Sequence, residues 1–233
     1  VGPYVVLGVV VLAILIVFAL VKLPGTSSGD IKTAVMPTIK RLIARPLYVW
    51  GVVAQAFYVG AQIMCWTFVI QYGMNELNMT AASAQSYNIW AMGIFVSSRF
   101  ICTYLLKFFN PGSLLSGLAI GGGVLTLGAI FLTGMPGLYA LIGVSACMSL
   151  MFPTIYGIAL EGTGEDAKFG SAGLILAIGG GCLMPPMQAA IMDMVAVSFG
   201  SFVLSSTRTS FALPLICFIA IATYGFFNRP RRA

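Results

Sequence analysis

The sequence predicts an all-α membrane protein with seven transmembrane helices. Of its 233 residues, 59% are hydrophobic and 8% are charged, whereas an average soluble domain has roughly a quarter charged residues. The hydrophobic residues form continuous runs of about 20 residues, the length that a helix needs to cross the hydrocarbon core. Strands of a membrane barrel would be about half as long and would alternate apolar with polar residues, so the runs predict helices.

Each predicted span is an apolar run bounded by polar, glycine or proline residues. In chain order the spans are Pro3–Val21, Leu47–Gly73, Ala84–Phe108, Leu114–Thr133, Gly137–Leu160, Gly170–Val195 and Thr209–Asn228. No initiator methionine, basic segment or cleavage site accompanies the first run, so we interpret it as an internal helix rather than a signal peptide. The expectation is that the sequence continues upstream of Val1.

The longest connection, residues 22–46, separates one helix from the six that follow. It is rich in Gly, Ser and Thr around Pro24 to Gly29 and basic towards Arg45, a composition typical of a linker between two helical bundles. We therefore predict three parts: the last helix of one bundle (1–21), a central cytoplasmic loop (22–46) and a six-helix bundle (47–233).

The basic residues predict the orientation of the helices. Alternate connections and the C-terminal tail carry ten Lys and Arg on one side of the predicted membrane, and a single one, Arg208, borders the other side. The ten are Lys22, Lys32, Lys40, Arg41, Arg45, Lys107, Lys168, Arg229, Arg231 and Arg232. By the positive-inside rule, the first helix enters from outside and the C-terminus is cytoplasmic. The formal net charge of +6 is thus explained by topology, and a nucleic-acid partner is not expected.

Residue types that the chain lacks or scatters exclude several classes of enzyme. Histidine is absent, which removes histidine-based acid–base catalysis, the Ser-His-Asp and Cys-His nucleophiles and the commonest metal ligand. Five cysteines each fall in a different apolar run and form no Cys-x-x-Cys pair, so neither a disulfide framework nor a metal site is expected. We predict that the protein is not an enzyme.

A polar and aromatic stripe in the second span is the first candidate binding surface. Gln55, Tyr58, Gln62 and Trp66 are spaced 3, 4 and 4 residues apart, which keeps them within about 80° of one helix face at roughly 100° per residue. Amides can hydrogen-bond the hydroxyl groups of a sugar, and aromatic rings can stack on its C–H faces. The open alternative is that the amides only link neighbouring helices.

The third span adds Asn88 and Phe95 to the candidate site and a charge, Arg99, towards its cytoplasmic end. An arginine at this depth can extend to the interface or pair with an acid at a helix end. Glu161 is the acid that we expect to pair with it. For Arg99 and Glu161 we favour a structural or gating role over sugar binding.

Helix-breaking residues are concentrated in the fifth and sixth spans. Pro153 interrupts the fifth, whereas the sixth contains a run of three glycines around Gly180 and a proline pair that ends at Pro186. Broken helices at membrane depth are common where transporters bend or expose backbone to a cavity. The other interpretation is a soft kink without a functional role.

No carboxylate is expected at the middle of the membrane. Glu76, Glu161, Glu165 and Asp166 lie in or beside connections, and Asp193 lies near the outer end of its span. A proton-coupled carrier usually needs an acid within the membrane. Either the protein does not couple protons, or the coupling acids lie outside this sequence.

Four elements together resemble a known family. These are the segment from Ala54 to Trp66, the Ser98-Arg99-Phe100 element, the run from Phe152 to Ile155, and the three glycines ahead of Pro186. They are similar to the C-terminal half of the L-fucose:proton symporter (fucose permease-like) family of the major facilitator superfamily. The resemblance covers nearly the whole chain and departs at two positions, since the family pattern has Tyr at Phe152 and Gly at Ser98.

The resemblance implies helices 6–12 of a twelve-helix carrier in the bacterial inner membrane. It also implies alternating access, symport of an L-fucose-like monosaccharide with a proton as the coupling ion, and no other cofactor. The implied partners are the sugar, membrane lipid and the N-terminal half of the same protein, which would supply the coupling acids. Phe95 and Phe152 correspond to aromatic residues of the sugar pocket in the family.

Other functions remain as alternatives. A carrier of the same superfamily for glucose, galactose or another sugar would show the same features. A seven-helix receptor is disfavoured because no lysine lies at the centre of a span and no Asp-Arg-Tyr or Asn-Pro-x-x-Tyr element occurs. A passive channel is the third alternative.

Overall fold

The computed structural model describes residues 2–20, 31–194, 197–199 and 202–228. These residues form α-helices joined by short connections, together with one small β-hairpin. The helices are α1 (Gly2–Leu20), α2 (Ile31–Ile43), α3 (Pro46–Leu77), α4 (Ala81–Leu105), α5 (Pro111–Phe131), α6 (Met135–Met148), α7 (Met151–Leu160), α8 (Ala167–Leu176), α9 (Gly180–Met192), α10 (Ser206–Ser210) and α11 (Ala212–Phe227). The hairpin pairs β1 (Val197–Phe199) with β2 (Phe202–Leu204).

The prediction of an all-α membrane fold is confirmed, and among the residues that the structure describes five helical stretches are long and apolar enough to cross a membrane. They are Pro46–Leu77, Pro111–Phe131, Met135–Leu160, Gly164–Met192 and Ser206–Phe227. The other two predicted spans are also helical, as α1 and α4. At 25 residues α4 has the length, but its serines, Asn88 and Arg99 make it less apolar than the five.

Two compact units divide the chain, residues 1–38 and residues 39–233. The first contains α1, which has no charged residue along its 19 positions, and the start of α2. The helix α2 lies in the connection for which the sequence predicts a linker, and Pro37 is inside it. The predicted loop segment Pro24–Gly29 lies outside the described residues.

The second unit is built around α3, which packs against α4, α6, α7, α9 and α11. With 32 residues, α3 is about 48 Å long, longer than the roughly 30 Å hydrocarbon core. It begins at Pro46, where the missing N–H of a first-turn proline has no helical partner to lose. It ends before Asn78, whose φ of 52° is the left-handed conformation that asparagine tolerates at a helix end.

The fifth and sixth predicted spans are both interrupted. The fifth consists of α6 and α7, separated at Ser149 and Leu150. Pro153 accounts for this interruption, because a proline cannot donate to the carbonyl four residues earlier, that of Ser149, and its ring clashes with it. The sixth consists of α8, a 3₁₀ turn at Ala177–Gly179, and α9. This break lies at the start of the glycine run around Gly180, whereas the proline pair that ends at Pro186 lies inside α9 and does not interrupt it.

One end of the second unit, here called the basic end, carries Arg41, Arg45, Lys107 and Lys168. Arg41 donates from Nε and Nη2 to the two carboxylate oxygens of Asp166 at 3.0 and 2.7 Å, and Arg45 donates to the carbonyl of Gly162. The hydrogen bond with Asp166 is the main cause that raises the pKa of Arg41. These contacts join the chain entering α3 to the α7–α8 connection.

The opposite end is held by neutral and charged polar contacts. The amide of Asn75 donates to the Thr207 hydroxyl at 3.0 Å, and the Ser205 hydroxyl donates to the carboxylate of Glu76. Arg208 is 4% exposed and donates to the last two carbonyls of α5, those of Ile130 and Phe131. This guanidinium therefore caps the C-terminal end of α5, where the helix dipole favours a cation.

A short hairpin joins α9 to α10, and the sequence does not predict it. Its antiparallel register pairs Val197 with Leu204 and Phe199 with Phe202. The basic residues Lys22, Arg229, Arg231 and Arg232, which contribute to the predicted orientation, lie outside the described residues. The orientation of the bundle therefore stays a prediction.

Candidate functional site

The structure divides the predicted aromatic residues between two clusters along α3. The first, called the Tyr58 cluster, consists of Tyr58, Phe152 and Tyr156. The ring centroids of Tyr58 and Phe152 lie 6.1 Å apart in an edge-on arrangement, and Phe152 stacks on Tyr156 at 6.4 Å. The Tyr58 hydroxyl donates to the carbonyl of Met148 at 3.0 Å. This cluster therefore fixes the point at which α6 ends and α7 begins.

The second, called the Trp66 cluster, consists of Trp66, Phe95, Arg99 and Ser145. The indole of Trp66 packs edge-on against Phe95 with ring centroids 5.1 Å apart and an interplanar angle of 83°. The guanidinium carbon of Arg99 lies 5.9 Å from the centre of the Phe95 ring. Trp66 Nε1 donates to Ser145 Oγ at 3.3 Å. Helices α3, α4 and α6 therefore all contribute to one half-buried aromatic surface.

The predicted stripe on α3 is not uniformly accessible. Tyr58 is 1% exposed and Gln55 is 0% exposed, whereas Gln62 and Trp66 are half-buried. The second pair therefore keeps accessible surface. A sugar would reach Gln55 only if α3 moved relative to its neighbours.

Two of the candidate amides have buried polar atoms that find no hydrogen-bond partner among the described residues. Within that part of the chain, neither the nitrogen nor the oxygen of the Gln55 amide has a partner, and the same holds for Oδ1 of Asn88, a residue that is 5% exposed. Burial without a partner costs about 1–3 kcal/mol for each such group. The alternative that Gln55 simply hydrogen-bonds a neighbouring helix is therefore not what the structure shows.

The expected pairing of Arg99 with Glu161 is not realised. Both side chains are exposed, and the ion pair between described residues is Arg41–Asp166 at 2.7 Å. Arg99 contacts the face of Phe95 instead, because an arginine beside an aromatic ring gains a cation–π interaction. This pairing prediction is corrected: Arg99 belongs to the Trp66 cluster, and Glu161 lies at the basic end.

The predicted helix breakers have different surroundings. A Cβ atom added to Gly180 would lie 2.5 Å from the carbonyl oxygen of Ala56, so glycine at this position allows the backbones of α9 and α3 to approach closely. Pro186 is exposed and lies inside α9. Gly180 thus acts in packing, and the gating role predicted for these residues stays a prediction.

A cavity of about 640 Å³ opens at the basic end. Its lining includes Pro153 and Thr154 of α7, Glu161 just after α7, Asn110 just before α5, Gly112 of α5, and Asn228 just after α11. None of the seven residues predicted to bind sugar lines it. Two of the predicted gating residues, Pro153 and Glu161, thus share one cavity away from the aromatic clusters.

Sequence reasoning missed three contributors to the two clusters: Ser145, Tyr156 and the carbonyl of Met148. Serine and tyrosine within an apolar run carry no periodic signal that separates them from packing residues. The Met148 carbonyl is a backbone group, and its role follows from the position of the break. Pro153, five residues downstream, is the one signal in the sequence that points to this region.

The chain is similar in sequence to two groups of bacterial sugar transporters. It is 51% identical over 229 residues to an L-fucose-proton symporter of Haemophilus influenzae, an alignment that covers 96% of the chain and 51% of that protein. It is 30% identical over 219 residues to a putative glucose/galactose transporter of Helicobacter pylori, covering 94% of the chain and 52% of that protein. The chain thus spans about half the length of the relatives it matches.

Comparison of folds gives the same relationship. The structure matches the crystal structure of FucP, a major facilitator superfamily transporter in the outward conformation, with a TM-score of 0.82 and 30% sequence identity. The match covers 99% of the chain and 55% of that protein. No family model matches the sequence.

Proposed function

We propose, from the similarity of this chain to about half the length of L-fucose-proton symporters and to the fold of FucP, that it forms the C-terminal half of a sugar:proton symporter of the major facilitator superfamily. The substrate class that we propose is an L-fucose-like monosaccharide. The relatives are transporters rather than enzymes, and their membrane-spanning helices agree with a multi-pass membrane location for this chain. The whole transporter would work by alternating access between two helical bundles.

We propose the arrangement of the chain within that transporter from the same correspondence. Residues 1–21 would be the last helix of the N-terminal bundle, residues 22–46 the central cytoplasmic loop, and residues 47–233 the C-terminal bundle. The basic end would face the cytoplasm of a bacterial cell, because Arg41, Arg45, Lys107 and Lys168 lie there. The N-terminal half would be the functional partner of this chain.

The Trp66 cluster is the observation that carries the proposed sugar site. Its indole is half-buried and has an aromatic neighbour at Phe95, and the amide of Gln62 lies one turn away on α3. An aromatic face packs against the C–H face of a sugar ring, while an amide both donates to and accepts from its hydroxyl groups. The Trp66 cluster and Gln62 together thus supply the two kinds of contact that a monosaccharide needs.

Alternating access requires an element that can change its shape. The division between α6 and α7 is such an element, because a helix interrupted at Ser149 and Leu150 can bend there without breaking further hydrogen bonds. The Tyr58 cluster holds this point from the α3 side. We infer that Phe152 and Tyr58 act on the site indirectly, by holding the interruption between α6 and α7. The conformation of this interruption would differ between the sugar-bound and sugar-free states.

Transport of glucose or galactose is the second candidate. Phe152 favours it, since the fucose permease pattern has a tyrosine at this position and a site that hydrogen-bonds a hydroxyl discriminates strongly by that bond. The similarity to glucose/galactose transporters over 94% of the chain agrees with this candidate. The two candidates differ only in which sugar the site prefers.

A counterflow assay on the transporter that contains this chain tests the proposal. Vesicles loaded with one unlabelled sugar should accumulate labelled L-fucose, and a panel with glucose and galactose ranks the substrates. Replacement of Trp66 or Gln62 by alanine should raise KM about tenfold, because each removes a contact worth about 1–1.5 kcal/mol. Replacement of Trp50, which is 65% exposed at the basic end, is the matched control and should leave KM unchanged.

Two results would overturn the proposal. Unchanged KM in both the Trp66 and Gln62 variants would remove them from the sugar site. Uptake that does not respond to a protonophore would exclude proton coupling and favour a passive channel. Because no membrane-depth carboxylate is expected within this chain, the coupling acids should lie in the N-terminal half, and their replacement there should abolish the response to pH.

A further inference from the structure

Ser145 forms a hydrogen bond with the proposed sugar-stacking ring, that of Trp66. Its hydroxyl oxygen accepts a hydrogen bond from Trp66 Nε1 at 3.3 Å, and the residue itself is 1% exposed. Within the described part of the chain, Ser145 is the group to which the indole donates. At membrane depth an indole N–H without a partner is costly, so this hydrogen bond selects one orientation of the ring.

Packing against Phe95 also restrains the indole ring of Trp66. Phe95 meets the indole edge-on at 5.1 Å, an arrangement that aromatic pairs prefer over face-to-face stacking. Trp66 lies on α3, Phe95 on α4 and Ser145 on α6. The ring is therefore held between a hydrogen bond from one helix and an aromatic edge from another, and its exposed surface has a fixed direction.

We propose that Ser145 is a positioning residue for sugar recognition, holding the Trp66 indole in the orientation that stacks on the substrate. The inference rests on the proposed function, since it needs Trp66 in the sugar site. Ser145 lies one turn before Met148, where α6 ends and where the Tyr58 hydroxyl also binds. The last turn of α6 thus carries both the residue that orients the indole and the point where the helix is interrupted.

This placement gives the two clusters a common support. A movement of the last turn of α6 shifts the Ser145 hydroxyl and the Met148 carbonyl together, because both belong to the same rigid turn. The orientation of the indole therefore depends on the state of the interruption between α6 and α7. A sugar that binds one orientation of Trp66 better than the other then favours one state of the interruption.

The chain offers a matched control for Ser145. Ser116 is equally buried, at 1% exposure, lies in α5, and donates its hydroxyl to the carbonyl of Gly112 in the same helix at 2.9 Å. Replacing either serine by alanine removes one buried hydroxyl. Only the replacement of Ser145 removes the partner of the indole.

The test combines transport kinetics with a spectroscopic signal from the ring. In the transporter that contains this chain, labelled with ¹⁵N-tryptophan, the indole N–H resonance of Trp66 is assigned by its loss in Trp66→Phe. Ser145→Ala should shift this resonance and raise KM for the sugar about threefold to tenfold at nearly unchanged Vmax, as expected for one lost hydrogen bond. Ser116→Ala should change neither, and Ser145→Thr, which keeps the hydroxyl acceptor, should restore both.

The outcomes separate this inference from the proposed function. If Trp66→Ala raises KM but the Ser145→Ala variant keeps the same indole N–H resonance and the same KM as the wild type, Ser145 does not position the ring and the inference is wrong. If Trp66→Ala transports normally, the sugar site is elsewhere and both proposals fail. Should Ser145→Ala not fold, Ser145→Cys, which is near in size but a weak acceptor, carries the same expectation.

Discussion

The close approach of α9 to α3 makes Gly180→Ala the sharpest test of the packing. The new Cβ would lie 2.5 Å from the carbonyl oxygen of Ala56 and 2.9 Å from its carbonyl carbon. Both contacts are with backbone atoms inside a 32-residue helix, so no side chain can turn aside to relieve them. Helix α9 must then retreat from α3 by about 0.5–1 Å to reach an ordinary contact distance.

The expected cost follows from overpacking, which destabilises by about 1–3 kcal/mol when backbone has to shift. For a chain of this size, each kcal/mol lowers Tm by about 2–4 °C. Gly180→Ala should therefore lower the Tm of the detergent-solubilised protein by about 2–12 °C, measured with a dye that reacts with cysteines as they become exposed. The same change should reduce the maximal rate of transport.

Gly179→Ala is the control for this prediction, because a Cβ atom there meets nothing within 4 Å. The chemical change is identical and the position is one residue away. Its Tm should stay the same or rise slightly, since alanine restricts the unfolded chain more than glycine does. Melting of the two variants within 1 °C of each other would refute the assignment of Gly180 as a packing glycine.

Three further substitutions test the two ends and the middle of the second unit. Asp166→Asn should lower Tm by an amount that 1 M NaCl reduces, with Glu165→Gln as an exposed control. The effect of Asp166→Asn should be the same from neutral pH up to about pH 10, because the hydrogen bond with Asp166 raises the pKa of Arg41 and a guanidinium stays charged throughout that range. Arg208→Met leaves two helix-end carbonyls without a donor and should destabilise by about 2–4 kcal/mol; a melting curve like that of wild type would contradict the capping role. Tyr58→Phe removes one buried hydroxyl and should cost about 1–3 kcal/mol, so an unchanged Tm would show that the bond to the end of α6 is dispensable.

Hydrophobic run length predicted the helices well because the bilayer imposes one length on every span. The same criterion treats α6 and α7 as a single run, since an apolar stretch continues through Ser149 and Leu150. Pro153 indicated an interruption in this span but not its position, which depends on the carbonyl that its ring excludes. The two residues that separate β1 from β2 in the sequence, Gly200 and Ser201, are a pair that favours a two-residue hairpin turn, but a search for apolar runs of about 20 residues does not test for such short strands.

The candidate site was predicted less completely than the fold. Helical spacing placed Gln55, Gln62 and Trp66 on the same face of α3. In the structure Gln62 and Trp66 are half-buried, whereas neighbouring helices bury Gln55. Spacing within one helix says nothing about which neighbour covers it, and this depends on contacts between helices distant in sequence. The pairing of Arg99 with Glu161 failed for a related reason: the face of a nearby ring was a closer partner than an acid at the helix end.

The interruption between α6 and α7 also bears on how the protein enters the membrane. With 14 and 10 residues, the two pieces are about 21 and 15 Å long, and neither could cross the bilayer alone. During biosynthesis they must therefore insert as one continuous segment. Because a bare carbonyl in hydrocarbon costs several kcal/mol, the bend at Met148 is stable only once the Tyr58 hydroxyl of the earlier-synthesised α3 is beside it. Because α3 precedes α6 along the chain, the Tyr58 hydroxyl is in place before the Met148 carbonyl to which it donates.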